Sequence, residues 1–150
     1  MTLKQRLDED MKAAMKAREA GKERLSVVRL AKSAIKNVEI DKRHELSDEE
    51  VVEVIAREVK QRRDALAEFG AKAGPEYTRK MEGEIAILMD YLPQQMSEEE
   101  VRRVCAETIA EVGAQDPKEI GKVMAKLMPK VKGRAGGKLV NQIVKDLLSK

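Results

Sequence analysis

Six basic residues, Lys122, Lys126, Lys130, Lys132, Arg134 and Lys138, fall between positions 122 and 138 without one acidic residue among them. Lys122 and Lys126 are four apart, so a helix sets them on the same side. Lys130, Lys132 and Arg134 are expected to follow on a loop that also carries Gly133, Gly136 and Gly137. Phosphate oxygens are the natural ligand for such an arrangement. Cations attract them, and the free amides of a helix starting near Gly136 would add a further anion site. The plainer alternative is that cations near a helix C-terminus complement its dipole and stay solvated. Three glycines beside three cations favour a ligand, since glycine lets a backbone approach closely, although it serves equally well as a turn residue.

Other chemistries have weaker carriers. Cys105, the single cysteine, shares a helical face with Val101, Val104, Ile109 and Val112, and burial among aliphatic groups keeps a thiol inert. His44 is the single histidine and has no second histidine or thiolate with which to share a metal. The runs Asp48-Glu49-Glu50 and Glu98-Glu99-Glu100 stand where first helical turns begin, so favourable contact with the helix dipole accounts for them. Phosphate-binding glycine loops, dinucleotide fingerprints and nucleophile elbows do not occur. No catalytic residue, cofactor or metal is therefore expected.

The elements that must position the cations are helical. Ala, Lys, Glu, Leu and Arg dominate, Trp is absent, and Phe69, Tyr77 and Tyr91 are the only aromatics. That composition suits helices and disfavours a β-sandwich or barrel. Net charge is only +3 over 150 residues, but residues 116–150 carry nine Lys/Arg against three Asp/Glu, which makes the remainder net acidic. Such asymmetry suggests an anionic partner for the C-terminal third. Apolar runs too short to span a bilayer, and none after the first basic residues, lead to an expected cytoplasmic location with no membrane partner.

Periodicity predicts seven helices and no strand. Leu3, Leu7, Met11, Ala14 and Met15 mark the first, and Gly21 punctuates before a second from about Glu23. Ser47 with Glu50 forms a capping box for the third, whose face is Val51, Ile55, Val59, Leu66 and Phe69 until Gly70 and Gly74-Pro75 break it. Pro75 opens the fourth and Pro93 closes it. Ser97 with Glu100 repeats the capping box for the fifth, which ends at Gly113. Asp116-Pro117 starts the sixth, Pro129 is expected to end it, and the seventh buries Leu139, Val140, Ile143, Val144, Leu147 and Leu148. An all-α chain follows, with a four-helix domain over 1–93 and a three-helix domain over 94–150.

The stretches Tyr91-Leu92-Pro93-Gln94-Gln95-Met96-Ser97, Gly121-Lys122-Val123-Met124, Met128-Pro129-Lys130-Val131-Lys132-Gly133-Arg134-Ala135 and Lys138-Leu139-Val140-Asn141 together resemble the YqeY family, as do Leu7 to Lys16 and Leu25 to Arg29. One departure stands out: Gly136 occupies the place where the family pattern leads one to expect Asp. The family is similar to the tail region of the B subunit of glutamine-dependent aminoacyl-tRNA amidotransferase, the GatB/YqeY domain. The resemblance implies a two-part helical architecture and a tRNA-like partner.

Charge and resemblance together give three expectations. The first is an accessory protein that binds tRNA or another structured RNA through Lys122, Lys126, Lys130, Lys132, Arg134 and Lys138, without DNA sequence readout. The resemblance alone implies the second, a carbon–nitrogen ligase role with glutamine as amido donor inside an amidotransferase assembly. A helical protein-interaction module, in which an apolar groove of the first four helices takes a partner helix, is the third. The stripe Arg29, Lys32, Lys36 and the cluster Lys60, Arg62, Arg63 would extend an RNA surface, but interspersed acids favour plain solvated faces there.

Overall fold

A computed structural model describes residues 1–149 of the chain, and its packing divides into two compact units, Met1–Leu92 and Pro93–Lys150. Among the described residues there are seven α-helices and no strand. Four helices build the first unit: α1 (Leu3–Lys16), α2 (Lys22–Lys42), α3 (Asp48–Ala73) and α4 (Pro75–Met89). Three build the second: α5 (Glu98–Val112), α6 (Ile120–Val131) and α7 (Gly137–Leu148). Short 3-10 turns, Arg18–Gly21 and Pro117–Glu119, lead into α2 and α6.

Each start has a local cause. Thr2 accepts the Gln5 amide and the Gln5 side chain returns the bond, so α1 opens on a capping box. Ser47 and Glu50 make the same reciprocal pair at α3. At α5 only half of the expected box forms: Ser97 accepts the Glu100 amide at 3.1 Å. Asp116 and Glu119 form a box of their own around the 3-10 turn before α6. No helix among the described residues is long and apolar enough to cross a membrane.

Two helices run past their expected ends. Helix α3 continues through Gly70 to Ala73, and Phe69, expected on the buried face, is 49% exposed. The α3 residues in the core of the first unit are Val51, Val54, Ile55 and Val59. Beyond them α3 packs mainly along α4, which leaves the outer side of Phe69 to solvent. Helix α6 passes through Pro129 and ends at Val131. Pro129 lacks the N–H that would bond the Ala125 carbonyl, but both residues are exposed, so water can satisfy that carbonyl. Two residues on, Val131 is fully buried, and its packing holds the last turn in place.

The second unit is small but densely apolar. Val101 and Cys105 from α5, Val123, Leu127 and Val131 from α6, and Val140, Ile143, Val144 and Leu148 from α7 form one cluster. Because α6 presents Val123, Leu127 and Val131 inward at four-residue spacing, its remaining faces must carry the lysines.

Candidate nucleic-acid interface

Lys122, Lys126 and Lys130 recur every four residues on α6, and all three are exposed. Lys130 therefore stands on the helix and not on the loop, because α6 does not stop at Pro129. The segment has no acid in sequence, yet it meets one in space. Glu111 of α5 pairs with Lys126 at 3.0 Å through one carboxylate oxygen and with Lys130 at 2.8 Å through the other. Lys130 Nζ also donates to Thr108 Oγ1 at 3.1 Å, and Thr108, itself fully buried, donates to the Val104 carbonyl. Lys130, followed by Lys126, holds the Glu111 carboxyl below its ordinary range. Sequence reading missed Glu111 because it lies outside the basic segment, on a neighbouring helix.

The glycine-containing turn after α6 is fixed by hydrogen bonds. The Arg134 and Ala135 amides return to the Val131 carbonyl at 2.9 and 3.0 Å. Gly133, with φ of 72°, takes the left-handed conformation that this turn requires. Three further bonds tie the turn to the chain entering α5. Met96 N–H donates to the Arg134 carbonyl at 2.9 Å, Gln95 Nε2 to the Gly133 carbonyl at 2.7 Å, and Arg134 Nε to the Gln94 carbonyl at 3.0 Å. Arg134 thus spends one of its five donors on the fold. Lys132 lies in the turn and is exposed, and Lys138 is exposed in the first turn of α7.

The start of α7 lacks both the side-chain cap that opens α5, Ser97, and the acid that immediately precedes α6, Glu119. Its N-cap is Gly136, in extended conformation at φ −69°, with no side chain to accept an amide and no acid in the first turn. Lys138 instead brings positive charge to the positive end of the helix dipole. Open space surrounds the position of a Cβ at Gly136, so other residues fit there. Gly136→Asp should raise the stability of this unit by about 0.5–1 kcal/mol through capping and charge–dipole attraction. It should also weaken any anion held at this helix start. Urea denaturation checks the first effect, and an unchanged midpoint would contradict it.

Elsewhere the residues are committed to the fold. Cys105 is fully buried and burial pushes its thiol pKa up, with the charge of Arg102 opposing. His44 is exposed, its Nδ1 lying 2.8 Å from the Glu45 carbonyl. No group of three or more His, Cys, Asp or Glu among the described residues could hold a metal ion. In the first unit Lys32 pairs with Asp8 at 2.5 Å, Lys60 with Asp64 at 3.1 Å and Arg62 with Glu84 at 3.1 Å. A groove of about 380 Å³ beside Leu7 and Ile35 is rimmed by Lys4, Asp8, Lys32, Lys36 and Glu39. Its Lys4 is already bound to Glu39 at 2.6 Å, so much of its charge is balanced from within.

Comparison with known proteins places this geometry in a family context. A family model described as Yqey-like protein matches residues 4–148, nearly the whole chain. No curated protein sequence matches it.

Proposed function

The chain belongs to the Yqey-like protein family, and from that premise we propose that its second unit binds the phosphate backbone of a structured RNA, with tRNA as the first candidate. The observation that carries this reading is the start of α7. Dipole complementarity explains cations at a helix C-terminus, where Lys130 stands, but it disfavours Lys138 at an N-terminus without a capping acid. An anion bound by the first amides of α7 would reverse that penalty, and Lys132 and Arg134 flank the same place in sequence. Family membership supports an accessory role of the GatB/YqeY type.

The second unit contains no aromatic side chain, so bases have no stacking platform there. Recognition would rest on backbone charge and on the shape of folded RNA. Lys130 and Arg134 are poor probes, since each also bonds within the protein. Lys122→Ala combined with Lys138→Ala is the cleaner variant, since both side chains are exposed.

Titration of unfractionated tRNA at about 50 and 200 mM salt should show wild-type binding that weakens steeply as salt rises. In the double variant the slope of log K against log salt should flatten by about two units, one for each lost phosphate contact. Failure of the wild type to bind at either salt would reduce the basic segment to a solvated face. A stoichiometric protein partner recovered without RNA would favour the interaction-module reading.

A further inference from the structure

Resting on the RNA-binding reading, we propose that Glu111 is a resident anion that occupies a two-lysine phosphate cradle on α6, and that a phosphodiester group of the RNA must displace it to engage Lys126 and Lys130. The geometry is the first ground. The two oxygens of one carboxylate take one ammonium each, at 3.0 and 2.8 Å. Two oxygens of a phosphate can be received in the same way, so the carboxylate marks both the position and the bidentate arrangement of the incoming group.

Accessibility is the second ground. The side chains of Glu111, Lys126 and Lys130 are 44%, 52% and 37% exposed, so the carboxylate can swing out without disturbing the core. Thr108 is the third. Its buried hydroxyl oxygen accepts from Lys130, which keeps that ammonium in place when the carboxylate leaves. The cradle is therefore held from beneath by α5 and filled from above by an exposed acid of the same helix.

Function follows from the competition. An exposed ion pair is weak, so a polyanion that already touches the exposed Lys122 and Lys138 can exchange with Glu111, whereas a lone phosphate gains little by doing so. Glu111 thereby sets a threshold that favours long phosphate backbones over small anions.

Glu111→Gln tests this, with Glu107→Gln as control. Glu107 lies one turn earlier on α5, is exposed, and changes the net charge equally, while the carboxylate paired with both lysines is that of Glu111. In tRNA titrations Glu111→Gln should bind about tenfold more tightly than wild type at low salt, the equivalent of two surface ion pairs. Inorganic phosphate should also compete more effectively against tRNA in this variant than in wild type. Glu107→Gln should gain far less.

If wild type binds with strong salt dependence but Glu111→Gln is indistinguishable from Glu107→Gln, the cradle is refuted and the RNA reading survives. If neither wild type nor Glu111→Gln binds tRNA at any salt, both fall together.

Discussion

Arg62→Met is expected to lower the stability of the first unit by about 3–5 kcal/mol, one of the largest effects of any single change in this chain. Arg62 Nε donates to Glu84 Oε1 at 3.1 Å, its Nη1 donates to the Glu58 carbonyl at 3.1 Å, and Glu58 Oε1 lies 3.7 Å from that Nη1. The Arg62 and Glu84 side chains are only 12% and 9% exposed. Methionine keeps much of the stem that packs between α3 and α4 but removes the guanidinium. Glu84 is then left as a buried charge with its main compensation gone, and its other oxygen, Oε2, has no hydrogen-bond partner among the described residues.

The pair is costly to break, yet it need not be strongly stabilising as a pair, because both ions were taken out of water to form it. Arg62→Met with Glu84→Leu should therefore recover most of the loss, and Glu58→Gln should cost much less than either partner's removal. Urea midpoints of the four proteins decide the matter. A single Arg62→Met variant within about 1 kcal/mol of wild type would mean that water reaches Glu84 and the burial is not felt.

Arg62 also shows where sequence reading runs out. Periodicity and caps located the helices well, because a capping box or a proline at a first turn is a local signal: Ser47 and Glu50 need only each other. The sequence cluster Lys60, Arg62, Arg63 carried no sign that its middle member turns inward to Glu84, which is 22 residues away. Glu111 was hidden in the same way, since its pairing with Lys126 and Lys130 depends on how α5 packs on α6. The end of α6 was misplaced for a related reason. A proline argues locally for a stop, but the buried Val131 beyond it decides otherwise. Local rules thus found the basic segment, and only packing showed which of its cations are already engaged.

Gly21→Ala should be the other severely damaging change, with a cost of about 3 kcal/mol or more. The sequence marks Gly21 as punctuation between α1 and α2, which suggests a need for conformational freedom. Its φ of −100° shows that any residue could adopt the torsion. What glycine supplies is proximity. A Cβ there would fall 2.2 Å from the Ala14 carbonyl oxygen and 2.8 Å from the Ala14 Cα and carbonyl carbon. All three are backbone atoms of α1, so no side-chain rotation can relieve the overlap, and the corner that folds α1 back on α2 must open.

Two companion variants separate this cause from others. Ala14→Gly should fail to rescue Gly21→Ala, because the clash is with the carbonyl and not with the Ala14 methyl group. Gly83→Ala offers a contrast: its Cβ would meet Glu23 Oε1 at 2.3 Å, the far end of a flexible side chain that can move away. At this helical position alanine should be tolerated, and it could gain up to about 1 kcal/mol from helix propensity. Thermal melts followed by circular dichroism should therefore place Gly21→Ala far below wild type and Gly83→Ala at or above it. Equal melting of Gly21→Ala and wild type would show that the α1–α2 corner can open at no cost.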